Sequence, residues 1–392
     1  MSGYTHIVIG AGAIGSAAAY WLSQEPGARV LVVEQFELVN TRGSSGDHSR
    51  IIRHAYHRTD YTRLTPAAYD AWHEIEARSG LQVLLKTGGL DLATSDEASV
   101  RELDGYRAAM DAVGIPFEDL TADEIRRRYP QWRIEDDVTG FHQADAGLID
   151  IRRSVSAHTS LALAAGVEFL PHTMVTGVEL RADSVTVRTT AGAFDAGALV
   201  VAAASWLGDL MPDLGLTFRL TLSQEQVSYF TNANLSRFAP DVFPVWIFHS
   251  TETFYGFPVY GEAAIKLARD MRGRFIASEE RVFEGDHDEA AVLRGFLERR
   301  LPSAVGPVWA NRTCLYDMPA DRDFVLDVLP GHPHVAVFNG AGHAGKFASL
   351  VGRILAELLT TGTSSHPIDA FRLSRPAITD PDFEPVFRLT GH

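Results

Sequence analysis

Cysteine is nearly absent from this chain: Cys314 stands alone among 392 residues. A single thiol excludes an intrachain disulfide and any multi-cysteine metal centre. Lysine is almost as scarce, with only Lys86, Lys266 and Lys346 beside a large majority of arginines. A chain so biased is expected to keep lysine where a compact ammonium is wanted, although chance placement on the surface is the alternative at any one position. Long apolar runs are missing as well. The longest, residues 198–206, is too short to span a bilayer. No basic leader precedes the apolar start at His6-Ile7-Val8-Ile9, so a cytoplasmic protein is expected. Basic charge is in deficit, with a formal net charge of −15. That argues against nucleic acid or an anionic membrane as partner, since both call for a basic surface.

The remaining composition is that of an ordinary α/β enzyme, 46% hydrophobic and 22% charged. The length exceeds what one core usually covers, so two domains are expected. The opening reads strand, tight turn, helix, strand: Ile7–Ile9, an Ala-rich helix over 13–22, then Val30–Val33 ending at Glu34. A helical stretch is predicted over 64–78, a strand after Gly88-Gly89, and charged, helix-like sequence over 95–130. Another helix (153–165) precedes strands near 167–170, 175–180 and 199–202. Residues 224–268 are rich in aromatic and β-branched residues with period-two patterning in places, which predicts an antiparallel sheet. A helical pattern returns over 289–300. Near the end the opening motif recurs as a strand (335–338), a Gly-rich turn (340–345) and a strong helix closing near Gly362. The last fifteen or so residues read as an irregular tail. The nucleotide-binding half is therefore assembled from separated pieces of chain.

Gly10-Ala11-Gly12-Ala13-Ile14-Gly15 matches G-x-G-x-x-G between a strand and a helix. Gly10 permits the tight turn, Gly12 lets the backbone approach a pyrophosphate, and Gly15 allows close helix–strand packing. The helix N-terminus offers free N–H groups to the phosphates. Glu34, at the tip of the second strand, is placed to accept hydrogen bonds from a ribose. The motif does not separate NAD from FAD. The polar loop from Arg42 to Arg50 suits either a large buried cofactor or plain solvent exposure.

The run Gly43-Ser44-Ser45 through Ser49-Arg50-Ile51-Ile52-Arg53 resembles a signature of the monomeric sarcosine oxidase family, whose relatives include N-methyltryptophan and pipecolate oxidases. Three further segments match in order: Tyr255-Gly256-Phe257-Pro258 leading to Lys266, then Thr313-Cys314-Leu315-Tyr316, then Gly342-His343 with Lys346-Phe347. The resemblance spans essentially the whole chain. It implies an α/β flavoenzyme with a Rossmann-like, D-amino-acid-oxidase-like FAD-binding domain and a second, antiparallel-sheet substrate domain. The expected division is 1–85, 146–220 and 320–392 for FAD binding, and 86–145 with 221–319 for substrate.

The same resemblance implies FAD held covalently through a cysteine thioether at Cys314; taken alone, a lone cysteine reads as a small buried hydrophobe. Arg53 and Lys346 match the positions that bind the substrate carboxylate. Lys266 matches the lysine over the flavin where oxygen is reduced, and Arg50 a basic residue near the ring. Tyr255 and Tyr316 match aromatic residues of the substrate pocket. With Gly342, His343 and the loop residues Gly43, Ser44 and Ser45, these complete the expected site. Departures are Asp270, where the family tends to place histidine, Glu225, where arginine is common, and the rearranged Gly46, Asp47 and His48. An acid at 270 or 225 suits a substrate with an extra amine or hydroxyl, or simply a surface position.

The expected activity is oxidation of the C–N bond of a secondary amino acid by O₂. The rate should rise with pH as the amine loses its proton. Rivals are a cyclic imino acid oxidase, a dehydrogenase with another electron acceptor, and a flavin- or NAD-binding regulatory module without turnover.

Overall fold

Two large sheets and a small third one organise the chain, and the computed structural model describes residues 3–387. The first sheet is built on strands apolar along much of their length. Val30–Val33 is buried at every position, as a parallel strand covered on both faces should be. Glu168–Leu170, Val30–Val33, Tyr4–Ile9, Gly192–Val201 and His332–Asn339 lie side by side and parallel. Val185–Thr189 and Val175–Leu180 extend the sheet antiparallel on one side, and Val325–Leu329 pairs antiparallel with His332–Asn339. Tyr4–Ile9 sits where the chain order reverses, the place where open sheets of this kind bind ligands beyond their carboxyl ends.

Small residues set how the helices pack on this sheet. Helix Ala13–Leu22 crosses Ala348–Thr361, and a Cβ added at Gly352 would press on Ala17 and the Ala18 backbone nitrogen. The second helix closes on Gly362 in the left-handed conformation, where glycine carries no Cβ penalty. The helix predicted over 64–78 starts earlier, at Thr59, and runs to Ser79 with Pro66 inside it. Proline cannot donate to the Thr62 carbonyl; the Thr65 hydroxyl donates to it instead, at 2.7 Å.

The second sheet has the strand order Arg274–Phe275, Leu220–Phe230, Ile265–Arg269, Phe254–Gly256, Val245–His249, Gly89–Ala93, Thr139–Gln143, Glu118–Thr121, with Val308–Pro319 alongside Leu220–Phe230. Pairing is antiparallel, including every pair within 224–268, except between Val245–His249 and Gly89–Ala93, which run parallel. Its core is aromatic, with Trp132, Phe243, Trp246, Phe248 and Phe296 packed together. The charged stretch 95–130 is not one helical region. It divides into helix Glu97–Asp111, edge strand Glu118–Thr121 and helix Ala122–Arg128. The strand escaped prediction because three of its four residues face solvent, and polar edge strands lack apolar alternation. A small antiparallel sheet of Ser49–Ile52, Gly147–Asp150 and Leu84–Lys86 completes the fold.

The tail expected to be irregular includes one helical turn, Pro376–Thr379, and is tied back by the Val386 N–H donating to the Ala320 carbonyl at 2.9 Å. Among the described residues no helix is long and apolar enough to cross a membrane, and no three His, Cys, Asp or Glu side chains form a metal-binding group.

Candidate active site

Two cavities, of about 620 and 460 Å³, share Gly12, Ser45, Ala202 and Ala204 and so form one elongated cleft past the first helix N-terminus. The smaller end is nucleotide-like in its chemistry. Gly10 adopts φ +94° and its N–H donates to the Val33 carbonyl at 2.8 Å. A Cβ on Gly12 would meet only the Ser45 hydroxyl, whereas one on Gly15 would run into the Gly10 carbonyl. Gly15 is thus a packing residue and lines neither cavity. The Ser45 hydroxyl accepts from the Ala13 N–H at 2.9 Å, leaving part of the helix N-terminus open to an anion. Glu34 receives the Ala11 N–H at 2.8 Å on Oε2, and on Oε1 the Phe36 N–H at 2.9 Å and the Asn40 amide at 3.5 Å. Oε2 keeps a further lone pair for a ligand hydroxyl.

The larger end gathers charge. Arg50 donates to the carbonyls of Ser49, Ser44 and Gly46, each at 2.8 Å, so its guanidinium shapes the loop, with no carboxylate ion-paired to it among the described residues. Cys314 and Ser44 line this cavity, and the Ser44 hydroxyl donates to the Leu315 carbonyl at 2.7 Å. Gly43 lines neither cavity; its carbonyl accepts from Arg281. Burial pushes the Cys314 thiol up to about 11, opposed by Arg50, Lys266 and Arg281. Lys266 is buried, forms an ion pair with Asp47 at 2.6 Å and lies 4.5 Å from the centre of the Phe257 ring.

Farther along, Arg53 and Lys346 converge on one tyrosine ring, 5.8 and 5.1 Å from the centre of Tyr56. Arg53 is buried, ion-paired with Asp91, and lies over Tyr106. The Lys346 ammonium has no hydrogen-bond acceptor or carboxylate partner among the described residues, and burial with the nearby Arg53 charge lowers it to about 7. Tyr316 and Tyr255 line the same space, and burial holds both phenols well above their usual range. Gly342, at φ +78°, lies against the Tyr316 ring, and its neighbour His343 stacks on Phe324 with ring centres 4.8 Å apart. Asp270 faces the cavity but is already claimed, taking Arg322 on both oxygens at 2.9 and 3.0 Å.

These contacts bear on the two acids that depart from the family pattern. Asp270 lines the cavity and does so paired with Arg322. Glu225 is not a surface residue: it is 2% exposed and accepts from the Ser223 hydroxyl and the Arg272 and Gly273 N–H groups. It braces a turn.

A profile described as FAD-dependent oxidoreductase matches residues 6–358. The chain belongs to the FAD-dependent oxidoreductase family. Within it, monomeric sarcosine oxidase of Streptomyces avermitilis is 34% identical over 378 residues, covering 94% of this chain and 96% of the relative. N-methyl-L-tryptophan oxidase of Salmonella arizonae is 29% identical over 378 residues, covering 95% and 99%. Among solved structures, the open form of NikD, an unusual amino acid oxidase essential for nikkomycin biosynthesis, superimposes with a TM-score of 0.84 at 26% identity over 100% of both chains.

The cleft of this FAD-dependent oxidoreductase fits its cofactor. Glu34 would take the ribose hydroxyls, the open glycine turn and helix N-terminus would take the pyrophosphate, and a cation-lined chamber holding Cys314 would be left for the ring. Several residues at the site were not singled out from sequence. Asp91 was visible as a lone acid in the apolar strand Gly-Leu-Asp-Leu-Ala, a pattern that signals a buried partner. Arg322, His249 and Tyr106 carried no local signal; only the fold brings them to the cavity.

Proposed function

We propose that the chain is an FAD-dependent oxidase of the C–N bond of a secondary amino acid, yielding an imine and hydrogen peroxide. The observation that carries this reading is the convergence on Tyr56 of Arg53 and of Lys346, which has no carboxylate partner among the described residues, in the chamber that also holds Cys314. Two cations in a desolvated pocket orient a carboxylate and balance its charge. Asp91 neutralises Arg53, so the surplus positive charge available to the substrate comes from Lys346.

Bound FAD supplies the two-electron acceptor and hands the electrons on to O₂. The residues do the rest. Lys346 and Arg53 grip the carboxylate, Tyr255, Tyr316 and the Asp270–Arg322 pair bound the side-chain space, and Arg50 lends positive charge beside the ring site. The amine reacts unprotonated, its lone pair forming the C=N bond as the C–H bond breaks, so no general base is required. Lys266 stabilises the anion formed as O₂ accepts charge. A thioether from Cys314 anchors the cofactor. Residues 1–85, 146–220 and 320–392 form the FAD-binding domain and 86–145 with 221–319 the substrate domain.

A peroxide-release screen over N-methyl and cyclic amino acids tests the reading, with bleaching of the flavin absorbance as its anaerobic counterpart. Turnover of an N-methyl amino acid is expected. A protein whose flavin no amino acid bleaches is not this enzyme, and one that bleaches but releases no peroxide is a dehydrogenase.

A further inference from the structure

We infer that Asp47 is the residue that keeps Lys266 charged and in place over the oxygen-reacting site. The inference rests on the reading of Lys266 given above and assigns a role to a loop position that departs from the pattern of related chains. Asp47 adopts a left-handed backbone, φ +71°, a conformation aspartate tolerates better than most residues. That turn sends its carboxylate inward to a fixed set of partners. Oδ2 stands 2.6 Å from the Lys266 ammonium, with the two side chains 9% and 4% exposed. Oδ1 accepts from the Tyr229 hydroxyl at 2.6 Å and from Arg312 at 2.7 Å. Arg312 in turn pairs with Glu262, which His48 approaches at 3.2 Å. The pair is therefore braced from the second sheet and from the loop at once.

An isolated ammonium in this position would tend to lose its proton. Burial lowers Lys266, and the nearby Arg50 guanidinium lowers it further; Asp47 opposes both. Cys314 and the rings of Phe257 and Tyr229 are its other neighbours, and Ser49 accepts from it through its carbonyl at 2.9 Å and its hydroxyl at 3.2 Å. Among the described residues Asp47 is the only carboxylate within ion-pairing distance. A neutral amine offers no charge to an oxygen anion, so the proton that Asp47 holds on Lys266 is the one the reaction needs. Asp47 touches no reacting atom; it is a positioning residue.

The scarcity of lysine gives a direct test. Lysine labelled with ¹³C at the ε-carbon yields three signals in the FAD-loaded protein, assigned with Lys86→Arg and Lys346→Arg. In Asp47→Asn the Lys266 midpoint should fall by ~1–3 pH units relative to the native chain. Asp47→Gly serves as the second variant, because glycine fits the left-handed backbone and removes the carboxylate without strain. An unchanged Lys266 midpoint in a folded variant overturns the inference. Stopped-flow reoxidation supplies the second readout: both variants should lose rate as pH rises through the lowered midpoint, where the native chain stays level. Lys266→Met separates the two claims. Native-speed reoxidation in that variant removes the oxygen role of Lys266 while leaving the charge coupling intact. Slow reoxidation there, with Asp47 variants that track the native pH profile, removes Asp47 alone.

Discussion

Asp317 shows how a single buried side chain writes itself into the pH dependence of the whole protein. Its carboxyl is buried, and burial raises it to about 7 even though the Asn339 amide donates to it at 2.9 Å. Between the ordinary carboxyl range and about 7, the folded protein holds a proton that the unfolded chain releases. Stability therefore falls as pH rises through that window and stays lower above it. Asp317→Asn removes the ionisation while its amide oxygen still accepts from Asn339. It should stabilise the apoprotein by on the order of 2 kcal/mol at high pH and by little at low pH. Urea unfolding at both pH values checks this, and an equal effect at the two would contradict it. Lys346 gives a slope of the same sign in binding. With its ammonium lowered to about 7, it is charged below that value and neutral above it. Affinity for an unreactive carboxylate, read from the flavin spectrum, should be highest at acid pH and weaken as pH rises through the midpoint. Lys346→Met should flatten that dependence and weaken acid-pH binding by at least about tenfold.

At the level of elements, close packing around the first glycine turn decides whether the cofactor site exists. A methyl group on Gly15 meets the Gly10 carbonyl, so Gly15→Ala must push the helix away from the strand or distort the turn. The expected cost is about 1–3 kcal/mol, and the variant should purify without yellow colour; a fully flavinylated Gly15→Ala would show that the turn tolerates the shift. This region was the most legible part of the sequence. Helix Ala13–Leu22 and strand Val30–Val33 match their predicted bounds because apolar period, glycine spacing and strand length agree there. Legibility failed where a local rule was overridden by a distant contact or hidden by exposure. The helix read over 64–78 starts at Thr59, ahead of Pro66, where the Thr65 hydroxyl takes the Thr62 carbonyl that the proline cannot. Glu118–Thr121 is polar and at an edge. In the site, the positions of Arg53 and Lys346 were readable by resemblance, but their state was not. That Asp91 has taken Arg53, while Lys346 has no carboxylate partner among the described residues, depends on strand Gly89–Ala93 of the second sheet meeting the end of strand Ser49–Ile52.

The whole molecule is stitched together at its cofactor cleft. The lining draws on segments as far apart as Gly10, Glu34, Ser44, Arg53, Tyr255, Lys266, Cys314, Arg322 and Lys346, and on Val386 and Phe387 near the described end of the chain. A ligand that touches so many separated segments binds the folded state and not the unfolded one, so it stabilises by mass action: a hundredfold excess over Kd is worth about 2.7 kcal/mol. The proposed thioether at Cys314 would change the form of that linkage. With the cofactor attached, its local concentration no longer depends on dilution, and the melting temperature of the native chain should be indifferent to added FAD. On that proposal Cys314→Ser would abolish attachment but leave the cleft intact, so the variant should lose colour on desalting. Its melting temperature should then climb with FAD concentration toward the native value. If the native chain releases its flavin on acid precipitation and its melting temperature also tracks added FAD, the cofactor is held by the cleft alone, and the buried thiol is a packing residue.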